Sequence, residues 1–360
     1  MPLKAGLRQN ARPPSHCRAG MRIVHVLLTK CFAGTERHVL ELSAAQAAAG
    51  HDVTLVLRRK AARERPDAIA HRVDPRVRLV LVRDFLARWP AVQHARSVVR
   101  RLRPDIAHAH LGSASRALRG LGGVPRIATL HIGYEARQHA HLDGLVAIAP
   151  WQLPTIPQPL RGRSTQIDNW VVPRPPAADA RERIRRQLGL DADEFLVGSI
   201  GRMEPSKGMD LLLAAYERVR RPGLRLALVG GGRELEQLRS RAAADVAMPG
   251  FVEKPEEWLA AFDGFVSAAR EEPFGLVLLE AMQAGLPIVA TATGGARHLA
   301  GLIGTSLVPA GELEPLAAAL DAMASNRPAP RSYRLDGMRL EAKLQELDAF
   351  YRKHIDAARR

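Results

Sequence analysis

The strongest constraint on the fold is the alternation of short apolar runs with segments of helical period. In the front half the runs are Ile23–Leu28, Val53–Leu57, Val77–Val82, Asp105–Ala109, Ile127–Leu130 and Gly144–Ile148, with helical patterns near 35–49, 90–102 and 112–120 between them. In the back half Phe195–Ile200, Leu224–Val229, Gly264–Ser267 and Pro287–Ala290 alternate with helical patterns near 180–188, 207–220, 233–243, 255–262, 275–284 and 312–324. Runs apolar at nearly every position suit strands covered on both faces, so the pattern predicts parallel sheets flanked by helices. The rhythm lapses after residue 148, where the stretch 149–179 carries seven prolines. Such a stretch is expected to join units rather than to build one.

The expected architecture is therefore α/β, with two doubly wound, Rossmann-like parallel-sheet domains facing a central cleft. The front domain is expected over 21–160, a linker over 161–178 and the back domain over 179–330. An amphipathic helix is expected over 336–357. Residues 1–20 are expected to be a disordered extension, because the first strand-like run begins with Met21 and the preceding residues have no apolar centre. Ligands of open parallel sheets bind beyond the carboxyl ends of the strands, so chemistry is sought there.

Charge adds a second constraint. The chain of 360 residues carries 53 Lys and Arg against 37 Asp and Glu. Residues 1–180 hold 28 basic and 12 acidic residues, and residues 181–360 hold 25 of each, so the whole excess of +16 lies in the front half. This predicts an anionic partner for the front domain, such as a membrane surface or an acidic glycolipid. Nucleic acid is disfavoured, because aromatic residues are only 4% and do not interleave with the basic ones. Two cysteines, Cys17 and Cys31, form no metal or disulfide pattern, which fits a reducing cytoplasm. No apolar stretch is long enough for a membrane span.

The strand ends carry the candidate chemistry. "GRMEPSKG" (201–208) brings Arg202 and Lys207 to a helix start, a favourable setting for a diphosphate. "LVGGGREL" (228–235) is a glycine-rich turn in which Gly232 would permit close approach of a ligand. "REEPFGLVLLEAMQAGLPIVA" (270–290) holds Glu272 before a helix start and Glu280 on the helix. The N–H groups of Phe274, Gly275 and Leu276 lie between them and suit a phosphate. Two separated carboxylates flanking an anion site match a ligand with two sets of vicinal hydroxyls and a diphosphate between, as in a nucleotide sugar.

These segments, with "CFAGTERHV" (31–39), "DIAHAH" (105–110) and "TLH" (129–131), resemble the retaining GT-B glycosyltransferases of family 4. The resemblance runs in order from about residue 21 to 325. It implies that Glu280 holds the donor ribose and Glu272 the donor sugar. It implies that Arg202 and Lys207 bind the diphosphate and stabilise the leaving group, and that Gly34 brings a backbone N–H to the phosphate. His110 and His131 would approach the donor sugar. No metal or other cofactor is implied, the donor being a UDP-, GDP- or ADP-sugar. The acceptor would be a glycolipid or oligosaccharide in bacterial lipopolysaccharide, capsule or exopolysaccharide synthesis, with the enzyme peripheral at the inner membrane face. The last helix would cross back onto the front domain. The chain departs from the family pattern at Ala33-Gly34, where two glycines are usual, and at Arg297 and His298, where an acid is usual.

Three other readings are weighed. A GT-B sugar-nucleotide epimerase or hydrolase would share the cleft. A dinucleotide-dependent oxidoreductase is disfavoured, because "TKCFAGTE" lacks the required glycine spacing and the second strand runs into Arg58, Arg59 and Lys60. A non-enzymatic binder of polyanions would explain the charge but not the carboxylates.

Overall fold

Every apolar run named above becomes a strand. A computed structural model describes residues 20–65, 67–84 and 88–360, so the expectation for residues 1–20 lies almost wholly outside the described residues. The front sheet has seven parallel strands: β1 (Arg22–Leu27), β2 (Asp52–Arg58), β3 (Arg78–Val82), β4 (Ile106–His110), β5 (Arg126–Leu130), β6 (Gly144–Ala147) and β7 (Thr165–Gln166). Their spatial order is β3-β2-β1-β4-β5-β6-β7. The back sheet has five: β8 (Phe195–Ile200), β9 (Leu224–Val229), β10 (Val246–Gly250), β11 (Gly264–Ser267) and β12 (Ile288–Ala290), in the order β10-β9-β8-β11-β12. The strand order reverses between β1 and β4 and again between β8 and β11. Helices leaving those two points open crevices at the carboxyl edges.

Burial explains why these runs pair in parallel. Ile23 through Leu27 are all buried, and so is β4 along its whole length. Helices cover both faces, and an alternating polar face would be stranded there. The register sets His25 opposite His108 and Leu27 opposite His110. Paired residues of adjacent strands point to the same face, so His25 and His108 share one, and His110 joins them two residues further along β4.

Some elements do not follow from the hydrophobic pattern. Val246–Gly250 is an edge strand that includes Pro249, and a proline is tolerated at an edge because its missing N–H faces outward. The helix Gly294–Ile303 is rich in Gly and Ala and is started by Thr293, whose hydroxyl accepts from Ala296 N. Thr165–Gln166, within the expected linker, is the seventh strand of the front sheet and pairs with Val146 and Ala147.

The final helix, Leu340–Arg359, starts and ends a few residues later than its sequence pattern suggests. Leu347, Phe350, Tyr351 and Ile355 pack with Met21, Ile23, Leu42, Ile106, Ile127 and Val146 of the front domain. Each large apolar side chain buried there contributes about 1.5–3 kcal/mol. Polar contacts fix the register: His51 Nε2 lies 2.9 Å from Asp348 Oδ2, and the Tyr351 hydroxyl meets His108 Nδ1. Val171 N donates to Met338 O at 2.9 Å, so the two chain crossings between the domains run side by side.

Candidate active site

The helix Leu276–Gln283 follows β11 and begins at Gly275, whose φ of +96° is a left-handed conformation that suits glycine. The start lies one residue beyond that of the pattern expected near 275–284, because Pro273 and Gly275 hold the preceding turn out of the helix. Glu272 caps this turn: its Oε1 accepts from Gly275 N at 3.2 Å. Gly275 N–H is thereby engaged, which corrects the reading that all three N–H groups there are open to a phosphate. The Phe274 side chain is buried in the back-domain core. Leu276 is half-buried and faces the front domain, with a methyl group added at Gly34 lying 3.6 Å from its Cδ1.

Both carboxylates of the segment 270–290 hold cations. Lys207 Nζ lies 2.6 Å from Glu272 Oε2. Lys207 comes from the turn after β8, so this pair ties together the loops on either side of the back-sheet switch point. Glu280 Oε1 accepts from Arg37 Nη1 at 2.6 Å, and Arg174 Nη1 lies 4.0 Å from the same oxygen. Burial pushes the Glu280 carboxyl up, while Arg37 and then Arg174 oppose the shift. Arg37 is on the front-domain helix Gly34–Ala48, so this ion pair spans the cleft. Arg72–Glu253, at 3.2 Å, and Trp151 Nε1 to Pro273 O, at 3.0 Å, cross it elsewhere.

Arg202 is exposed and pairs with Glu204 at 3.0 Å. Across the cleft, burial pushes the Glu36 carboxyl on the helix Gly34–Ala48 up, and Arg202 is among the groups that oppose this. Gly232 has φ of +155°, and a Cβ there would stand 2.5 Å from Met203 O. Close approach of two backbones therefore accounts for this glycine without a ligand. Arg297 and His298, at the departure from the family pattern, are turned to other work. Arg297 Nε donates to Ala292 O at 3.1 Å, and His298 Nε2 lies 2.6 Å from Asp168 Oδ1 in the linker.

His110 and His131 come together, with His110 Nδ1 3.0 Å from His131 Nε2. They belong to a larger group that sequence reasoning missed. His110 Nε2 lies 3.0 Å from His25 Nδ1, and His25 Nε2 lies 2.6 Å from Gln46 Oε1. His108 Nε2 lies 2.8 Å from Thr129 Oγ1. His38 stacks on Trp170 with ring centroids 4.0 Å apart. Burial drives all five histidines towards the neutral form, His25 to about 4 and His131 to about 3. The available signal was the pairing of β1 with β4, which the apolar alternation of "RIVHVL" and "DIAHAH" hides. Arg37, Glu41 and Arg174 were missed too; with His38, Trp170, Leu276 and Glu280 they line one small recess of the cleft.

Two doubly wound domains with a cleft of paired cations and carboxylates at their carboxyl edges define a GT-B glycosyltransferase architecture. The family described as Glycosyltransferase Family 4 matches residues 32–195, the one described as Glycosyl transferases group 1 matches 194–326, and the chain belongs to these family 4 glycosyltransferases. A glycogen synthase of Alkalilimnicola ehrlichii is 41% identical over 136 residues, 33% of this chain and 28% of the relative. A glycogen synthase of Mycobacterium tuberculosis is 27% identical over 315 residues, 73% of this chain and 75% of the relative. Like the first of these, several of the curated relatives are matched over only about a third of their length. Among solved structures, sucrose-phosphate synthase from Thermosynechococcus elongatus superposes with a TM-score of 0.75 at 22% identity, covering 93% of this chain and 100% of that one. Anabaena HepE in complex with UDP and glucose gives 0.68 at 18% identity, covering 94% and 99%. WaaG, a glycosyltransferase involved in lipopolysaccharide biosynthesis, gives 0.67 at 17% identity, covering 93% and 99%. These likenesses establish the fold.

Proposed function

We propose that this chain transfers a sugar from a nucleoside diphosphate sugar to a hydroxyl of a glycolipid or polysaccharide, with retention at the anomeric carbon and without a metal. The observation that carries the reading is the pair of carboxylates on either side of one helix start, each already holding a cation. Glu280 holds the ribose hydroxyls when the donor enters, and Arg37 gives way to them. Glu272 holds donor-sugar hydroxyls and positions Lys207. Arg202 and Lys207 face the diphosphate, where negative charge develops on the leaving group. Gly34 and the N–H groups near Leu276 approach the phosphates from opposite sides of the cleft. His110 and His131 lie on the front-domain wall, beside the donor sugar.

The acceptor binds on the front domain. Its basic excess supports an anionic surface as the setting, and Ile132, 70% exposed just after His131, supports an amphiphilic acceptor. No helix among the described residues is long and apolar enough to cross a membrane, so attachment through this face is peripheral. A polysaccharide or lipopolysaccharide pathway is the setting that the likeness to WaaG supports.

Calorimetric titration with UDP, GDP and ADP and their sugar forms, with and without divalent metal, tests the reading. Metal-independent binding of one nucleotide, weakened in Glu280→Ala, is the expected result. Absence of binding by all of them overturns it. Binding with hydrolysis or epimerisation, and no transfer to any glycolipid or oligosaccharide offered, moves the chain to another GT-B activity.

A further inference from the structure

We propose that His38, His110 and His131 form a binding site for a nitrogen-seeking divalent cation of the zinc class, on the cleft wall of the front domain. One nitrogen from each ring lies within 4.8 Å of the others, and all three side chains are buried. His38 Nδ1 is the second observation: it is buried and has no hydrogen-bond partner in the protein. An imidazole nitrogen left unpaired out of water costs about 1–3 kcal/mol, and a metal ion is one way to recover it.

The hydrogen-bond chain behind the site already sets the protons. Gln46 Oε1 can only accept, so His25 Nε2 donates to it, which leaves His25 Nδ1 as an acceptor. His110 Nε2 must then carry the proton that bridges to His25 Nδ1. The His110 Nδ1 lone pair therefore points towards His131 Nε2 at 3.0 Å. That is the arrangement of a metal-binding histidine, whose far nitrogen is held by a second partner. Tetrahedral zinc with bonds of about 2.0–2.1 Å holds its nitrogens about 3.3 Å apart, so the two rings need separate by only a few tenths of an ångström. His131 moves its proton to Nδ1, and no proton need leave the protein.

The neighbouring group of His25, His108 and His110 is the weaker candidate. Both nitrogens of His25, of His108 and of His110 have protein partners. A cation there would break contacts without relieving an unpaired one. His38 of the proposed site also borders the recess that Arg37, Trp170 and Glu280 line. Three imidazoles with no carboxylate disfavour magnesium and calcium, and three protein ligands leave a fourth position open. On the transfer reading above, a bound cation occupies the nitrogens that would approach the donor sugar. It would then act as an inhibitor rather than a cofactor.

The test is cobalt titration of the untagged, chelator-stripped chain, followed by its visible absorption, with zinc as competitor. The expected result is one cobalt per chain with tetrahedral bands that zinc abolishes. His38→Gln and His131→Gln each weaken the site by more than about 100-fold, beyond what loss of an outer partner costs. His108→Gln keeps it. Circular dichroism confirms that each variant is folded, and either of the first two suffices if the other is not. Absence of stoichiometric binding overturns the proposal, as does binding that survives both substitutions or is lost only in His108→Gln. The readout needs no donor or acceptor, so it stands or falls apart from the transferase reading.

Discussion

Arg37 Nη1 lies 2.6 Å from Glu280 Oε1, and with that contact a front-domain cation occupies a back-domain carboxylate. The carboxylate expected to hold ribose hydroxyls therefore already has a partner within the protein. Donor entry becomes an exchange of partners rather than the filling of a void.

If Glu280 binds the donor, Glu280→Ala weakens nucleotide binding by roughly 10- to 100-fold, since hydrogen bonds to a charged group are worth about 1.5–3 kcal/mol. Calorimetry on wild type and variant measures it. An unchanged dissociation constant removes Glu280 from the donor site.

Arg37→Gln separates the two roles of the pair. Burial pushes the Glu280 carboxyl up and Arg37 is the largest opposing influence, so its loss raises the carboxyl further. The ionised form, which accepts from hydroxyls, is then lost at a higher pH as acid is added. Nucleotide affinity in the variant should decline at a higher pH than in wild type. Coincident pH profiles would show that Arg37 does not govern this carboxylate.

Lys207→Ala should act mainly on turnover. A donor aimed at developing charge is worth roughly 100- to 1,000-fold in kcat, while ground-state binding changes less. Steady-state kinetics with the nucleotide sugar found by titration separates the two. A loss confined to KM would make Lys207 a binding group only.

Acid should destabilise the fold through histidines that burial keeps neutral. His139 is lowered from 6.5 to about 4 by burial, with Nδ1 accepting from Glu135 N at 2.9 Å. The unfolded chain binds this proton and the folded chain does not, so stability is complete above about 6.5 and is lost as pH falls towards about 4. The slope is up to about 1.4 kcal/mol per pH unit for one such group. The neutral cluster around His110 pushes the same way. Urea unfolding between about pH 7 and 4.5 should show a shallower slope in His139→Gln. An identical slope would assign the acid sensitivity elsewhere.

Much of this architecture was legible because it rests on local pattern. Runs such as Phe195–Ile200 and Leu224–Val229 are long enough and apolar enough to admit one interpretation. Lys207 and Glu272 were legible as charges at strand ends, but their mutual contact depends on which strands neighbour each other, which no run of residues states. The pairing of His25 with His108 was hidden for the same reason. Arg37 looked like any helix-surface arginine until the back domain lay across from it. Gly232 shows the opposite ambiguity, since a glycine that suits a ligand also suits the approach of Met203.

The packing of Phe350 and Tyr351 against Ile23 and Leu42 has a temporal consequence. The residues that finish the front-domain core are made after those of the whole back domain. The front sheet waits through that synthesis with its helix-binding face uncovered. That face, not the catalytic cleft, is where a nascent chain of this protein would most need shelter, and a truncation before Leu347 should lose solubility before it loses nucleotide binding.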